Sequence, residues 1–207
     1  MSQAAPSGPH RPSALHVSTL MGRVVLALIP AITVHTLVFG PGVLVQLALA
    51  VVWAYLFEAI ALAVRRRPLR PFLSDNSAVL AAVLLALCLP PMAPWWVGAT
   101  GMLFAIVVAK QLYGGLGQNL FNPAMVGFAV VIVAFPETLT QWITPRSVAG
   151  DVPGWGTALR SIFQGELPPS TAWDALSQAT PLDQIRQGLA ASKTLTEIQT
   201  DPMFGRF

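Results

Sequence analysis

Two stretches of the chain combine residue types that chemistry could use. The first is Gly114-Gly115-Leu116-Gly117-Gln118-Asn119-Leu120-Phe121-Asn122-Pro123-Ala124. Its three glycines allow close backbone approach and positive φ, Asn122 suits a helix N-cap, and Pro123 suits the first helical position. A short helix therefore starts here, and its free amides and dipole could hold an anionic or polar ligand. Gly114, Gly115, Gly117, Asn119 and Asn122 are the candidate binding residues. A tight interhelical turn capped by Asn122, with no ligand, explains the same residues about as well. Asn122-Pro123-Ala124 also matches the water-channel signature, but channels of that kind need two such half-helices and one is present.

The second stretch is Asp174-Ala175-Leu176-Ser177-Gln178-Ala179-Thr180-Pro181-Leu182-Asp183. Thr180, Pro181 and Asp183 are what a helix start asks for: cap, first-turn proline and capping-box acid. The Thr180 hydroxyl has a second use, because a phosphate esterified to it would sit where helix amides and dipole favour negative charge. Cap and phosphoester compete for one oxygen, and the helix end is stabilised either way.

Metal chemistry finds no support in the sequence. Cys88 is the single cysteine, and His10, His16 and His35 are scattered, so no thiolate or imidazole cluster exists. Glu58, Asp75 and Lys110 lie within or beside apolar runs, where an ionisable group is costly to leave unpaired. Asp75 precedes a run and suits its cap. Glu58 lies seven residues before Arg65, on the same helix face, so pairing with an arginine or snorkelling is expected of it. Lys110, after another run, reads as an interfacial anchor.

The elements that must position these groups are set by composition. Of 207 residues, 54% are hydrophobic and 10% charged, against about 25% charged in a soluble domain. Too few polar side chains remain to cover a sphere of this size, so much of the surface must face lipid. The net charge of +3 is spread too thinly for a nucleic-acid surface. Apolar runs cover Val24 to Phe39, Val43 to Val64, Ala78 to Leu89, Trp95 to Ala109 and Ala124 to Phe135. Gly40, Pro41 and Gly42 make a tight turn between the first two. The third, fourth and fifth runs look short against the roughly 20 residues a crossing needs. Either flanking residues complete them inside a bundle, or some helices are broken in the membrane, as at binding sites and pathways.

The pattern is that of an all-α polytopic membrane protein of about five transmembrane helices, some short or broken, followed by an exterior extension. Residues 1–20 form a polar, Pro-rich tail without the features of a cleavable signal peptide, residues 21–135 the helix bundle, and residues 136–207 the extension. Five crossings put Arg11, Arg23, Arg65, Arg66, Arg67, Arg70 and Lys110 on one side, the positive-inside pattern for a cytoplasmic N-terminus. Residues after Pro136 then lie outside. That section carries seven acidic and five basic residues. Its prolines and glycines argue for loop as far as Thr171, with one or two short helices from Pro181 onward. Trp95, Trp96 and Trp142 fit an outer aromatic belt.

Taken together, Ser74-Asp75-Asn76-Ser77, the Leu89-Pro90-Pro91 exit, the Gly114 to Ala124 loop and the Asp174 to Asp183 segment resemble the family of RnfD, a membrane component of the Rnf electron-transport complex. NqrB, of the sodium-pumping NADH:quinone reductase, is a more distant relative. Asp174-x-x-Ser177-x-Ala179-Thr180 is similar to the family's flavin-attachment motif, usually Asp-x-x-Ser/Thr-Gly-Ala-Thr. The resemblance implies FMN on Thr180 through a phosphodiester installed by a flavin transferase, with Asp174, Ser177 and Ala179 as recognition positions. Gln178 departs from the usual glycine. It further implies an inner-membrane complex, with other Rnf subunits and lipid as partners, that moves electrons between reduced ferredoxin and NAD and couples this to sodium or proton translocation. An ion path or a second, non-covalent flavin such as riboflavin would belong near the broken segments from Gly114 to Phe135. Members continue past residue 207 with a second group of transmembrane helices, so the chain corresponds to the first part of such a protein. The alternative is a membrane transporter or channel component without a redox cofactor, or a purely structural assembly component.

Overall fold

The computed structural model describes residues 17–113, 119–149, 151–165 and 181–199, and among these every regular element is helical. Three helices are long and apolar enough to cross a membrane: Val17–Phe39, Gly42–Val64 and Trp95–Leu112. Ser77–Cys88 and Pro123–Ala134 are apolar but shorter. These five are the five apolar runs of the sequence, as a polytopic membrane protein requires.

The first span is α1 (Val17–Ala27) followed by α2 (Ile29–Phe39). They meet at Leu28 because Pro30 has no N–H to give and its ring crowds the preceding turn. Gly40, at φ 85°, turns the chain into α3 (Gly42–Val64). A short α4 (Leu69–Leu73) leads to Asn76, held at φ 60°, and to α5 (Ser77–Cys88). The N-cap position of α5 is Asn76, and the Asp75 carboxylate just before it accepts from the Ser77 N–H at 2.8 Å and its hydroxyl at 2.5 Å, so Asp75 satisfies the first free amide of the helix.

After the Pro90–Pro94 turn, α6 (Trp95–Leu103) runs without a break into a π-helical segment, Phe104–Leu112. α7 (Pro123–Ala134) starts at Asn122, whose Oδ1 accepts from the Ala124 N–H at 3.0 Å. Asn122→Ala should therefore cost about 1 kcal/mol, while Asn122→Asp should keep the cap; thermal unfolding in detergent distinguishes them.

The helices alternate in direction. One face of the bundle gathers Ser18, Arg65, Asn76 and Gln111: Asn76 Nδ2 donates to the Ser18 carbonyl at 3.2 Å, and Arg65 donates to the Gln111 carbonyl at 2.6 Å. The far face gathers Gly40, Gly42, Pro91 and Met92. A Cβ on Gly42 would lie 2.6 Å from the Pro91 carbonyl oxygen, so only glycine lets α3 begin there. Gln46, buried in α3, donates to the Ala93 carbonyl at 2.5 Å.

α5 fills the centre. Its Ala78, Ala81, Ala82, Leu85 and Ala86 are buried in one core with Ala50 and Ala54 of α3, Met102, Ile106 and Val131. The short third run is thus enclosed by its neighbours. The fifth is broken instead: α7 stops at Phe135, where Pro136 begins α8 (Pro136–Thr140). α6 and α7 cross closely, since a Cβ on Gly127 would overlap the Gly101 carbonyl oxygen and one on Gly101 would lie 2.9 Å from Val131 Cγ2. Small residues at such crossings supply the packing that lipid cannot. Gly127→Val should force the helices apart at a cost of about 1–3 kcal/mol, read as a lower unfolding midpoint in detergent.

Among its described residues, the section expected as loop up to Thr171 forms helices α8, α9 (Arg146–Ala149) and α10 (Trp155–Gln164). Proline and glycine there mark helix ends. Pro136 opens α8, Pro153 and Gly154 precede α10, and Gly165 ends it at φ 72°. α11 (Pro181–Ala190) and α12 (Leu195–Gln199) follow, matching the short helices expected from Pro181 onward. α12 opens with a capping box: Glu197 accepts from the Thr194 N–H at 2.9 Å and hydroxyl at 3.0 Å. The Thr194 backbone amide holds the Glu197 carboxyl below its usual range. The support this gives α12 is present above the ordinary glutamate pKa and is lost as pH falls through the lowered one.

Candidate functional site

The strongest polar arrangement in the described bundle surrounds Glu58. Glu58 is fully buried and Lys110 is 2% exposed, and the two form an ion pair between α3 and the π-helical segment. Gln111 Nε2 donates to the same Glu58 oxygen, Oε1, at 3.0 Å. Arg65 Nη1 in turn reaches the Gln111 carbonyl and, at 3.1 Å, its side-chain Oε1. Glu58 Oε2 is buried without a hydrogen-bond partner among the described residues.

These contacts correct two expectations. Glu58 takes Lys110 rather than an arginine, and Arg65 acts on Gln111. Lys110 is a buried member of the bundle, not an interfacial anchor. The π-helical geometry explains how: its widened turn brings successive side chains closer together around the axis. Ala109, Lys110 and Gln111 are accordingly all buried, and two adjacent residues reach one carboxylate. The available signal was depth. Opposite charges lie near the same end of two apolar runs, where each most needs a partner.

Chemically, the cluster is a buried carboxylate neutralised from one side, with its second oxygen open to a further donor or cation. Desolvating both charges is repaid only by this close geometry and the added amide bond.

Of the residues singled out in the Gly114–Ala124 loop, Gly114, Gly115 and Gly117 lie outside the described residues. Asn119 and Asn122 are described. They differ in one respect: Asn122 Oδ1 is committed to capping α7, whereas Asn119 Oδ1 is buried and has no partner among the described residues. An orphaned buried acceptor costs about 1–3 kcal/mol unless something donates to it, so Asn119 suits a polar ligand better than Asn122 does. Both sit on the arginine-bearing face, beyond the end of the π-helical segment. Thr180, Asp174, Ser177 and Ala179 lie outside the described residues. No group of His, Cys, Asp and Glu that could hold a metal occurs among the described residues.

On the far face, His35, Phe39 and Trp142 pack in edge-to-face and tilted pairs, with ring centroids 4.9 to 6.0 Å apart. They tie α2 to the segment after α8.

Comparison with known proteins places the sequence in a family. The model of the NQR2, RnfD, RnfE family matches residues 4–206. The chain is 45% identical over 205 residues to the D component of the ion-translocating oxidoreductase complex of Shewanella denitrificans, covering 96% of this chain and 58% of the relative. It is 42% identical to the same component of the complexes of Escherichia fergusonii and Aliivibrio salmonicida, covering 58% and 59% of them. The chain therefore spans somewhat over half the length of the curated relatives it matches. With a family model matched along nearly its whole length and several relatives above 40% identity, the chain belongs to the NQR2, RnfD, RnfE family.

Proposed function

We propose that the chain belongs to a membrane subunit of an ion-translocating ferredoxin:NAD oxidoreductase complex, in which electrons are relayed by FMN esterified to Thr180. The observation that carries this is the family match across residues 4–206, which includes Asp174-x-x-Ser177-x-Ala179-Thr180 with only Gln178 out of pattern. The positions of the described residues support it. The exposed basic residues Arg65, Arg66, Arg67 and Arg70 lie toward one face, while Trp142 and α10, through Ser161, lie toward the other. By the positive-inside rule the first face is cytoplasmic and the second is the periplasmic side of a bacterial inner membrane.

FMN, when bound, supplies one- and two-electron transfer, and the protein's share is position, burial and electrostatics. Asp174, Ser177 and Ala179 would be read by a flavin transferase. Asn119, with its unpartnered buried acceptor, is the described residue best suited to contact a second, non-covalent flavin such as riboflavin near the glycine loop. Coupling is feasible in magnitude, since moving one charge against 100 mV costs about 2.3 kcal/mol, the same as one electron releases in falling through 100 mV. Other subunits of the complex are the partners that such a relay needs.

The deciding experiment is co-expression with a flavin transferase, followed by ultraviolet fluorescence in a denaturing gel and intact mass. A fluorescent band heavier by one FMN is the expected result. A colourless chain of ordinary mass, in a full-length relative as well as in this chain, would favour a transporter or an assembly component.

A further inference from the structure

α10 carries an apolar surface that the bundle uses only in part. Ala158, Ser161 and Ile162 are buried on one side of it against the bundle, and the Ser161 hydroxyl donates to the Met92 carbonyl at 3.1 Å. Trp155, Leu159 and Phe163 recur at i, i+4 and i+8 beside that buried edge, and they are 56%, 42% and 50% exposed. Gly156, Arg160 and Gln164, all exposed, occupy the remaining side. At 3.6 residues per turn the apolar arc spans about 200°, of which the protein covers only one half.

Three contacts fix how this helix lies. The Pro153 carbonyl, just before α10, stands 3.0 Å from where a Cβ on Gly40 would be. Ser161 holds Met92, and a Cβ on Gly165, just after α10, would lie 4.0 Å from Trp96 Cη2. Gly40 ends α2, Met92 lies in the turn after α5, and Trp96 begins α6, so all three are at the far-face ends of membrane helices. The α10 axis, about 15 Å long, therefore runs across those ends and not away from them. Its uncovered apolar half then lies beside the bundle, at the level where the helices leave the hydrocarbon.

We propose that α10 is an in-plane interfacial helix whose Trp155, Leu159 and Phe163 dock into the headgroup–acyl boundary of the far-face leaflet. A lipid surface is the occupant these residues fit. The stripe has no charge, and α10 ends at Gly165 beside Trp96, itself an exposed aromatic at the mouth of a membrane span, so the stripe continues the lipid-facing belt. Arg160 and Gln164 on the other side suit the headgroups and water above, the division that interfacial helices show.

The test is site-specific photo-cross-linking in native membranes, with the full chain among its natural neighbours. Benzoylphenylalanine is placed singly at positions 155, 159, 163, 160 and 164 in cells whose phospholipids carry an alkyne tag. Position 133, on the exposed face of α7, serves as the lipid-facing control. Lipid adducts at 155, 159 and 163, as at 133, and their loss at 160 and 164, are expected. Adducts to another protein at 155, 159 and 163 would overturn the proposal and assign the stripe to a neighbouring protein. Absence of adducts at these three with position 133 positive, or equal lipid labelling at all five, would overturn it as well. Three exposed positions are read independently, so poor accumulation of one variant leaves the test intact.

Discussion

Lys110→Met is expected to destabilise the bundle by about 3–5 kcal/mol, because it strands the Glu58 carboxylate in the interior without a counter-charge. Glu58 has no exposure to share the cost with water. Its Oε1 would keep only the Gln111 amide at 3.0 Å, and its Oε2 already lacks a partner among the described residues. The double variant Glu58→Met/Lys110→Met should recover most of the loss, since two apolar side chains replace two desolvated ions of similar size. Unfolding in detergent, followed by the fraction remaining monodisperse after heating, gives both numbers. Equal stability of Lys110→Met and the parent, or simple addition of the two single losses, would contradict a coupled buried pair.

The second large effect is all-or-none. Thr180→Ala should abolish covalent flavin, leaving no in-gel fluorescence and no added mass, because the phosphoester has no other oxygen at that position. Thr171→Ala and Thr194→Ala should leave the signal in place. Thr194→Ala is the sterner control: it removes the hydroxyl that Glu197 accepts from, so it weakens the start of α12 without touching the proposed attachment residue. Retention of fluorescence in Thr180→Ala would relocate the attachment or remove it from the chain altogether.

How much of this is legible in the sequence follows from what lipid demands. A crossing helix must be apolar over most of its length, so the five runs announce the five helices, and Gly40 to Gly42 announce the first turn. Asp75 is legible because capping is local, reaching only to Ser77. Lys110 is not, because its partner is 52 residues away and because a π-helical stretch decides which side chains face inward. Neither follows from periodicity at 3.6 residues. α10 escapes for a different reason. Pro153, Gly154 and Gly165 have the composition of a loop, whereas they bracket ten residues whose hydrophobic pattern is strongly one-sided. The Thr180 motif is legible only as a resemblance, since cap and phosphoester ask for the same residues.

The enclosure of α5 bears on how the protein is made. Its 12 residues reach about 18 Å, a little over half the hydrocarbon thickness of about 30 Å. A segment of that length cannot hold a stable crossing alone when it leaves the translocation machinery. Its neighbours α3 and α6, with Gln46 of α3 bonded at the far face to Ala93 in the turn that precedes α6, must shelter it while it is still new. Biogenesis of this membrane domain is thus a matter of groups of helices entering the bilayer together, with α5 as the passenger.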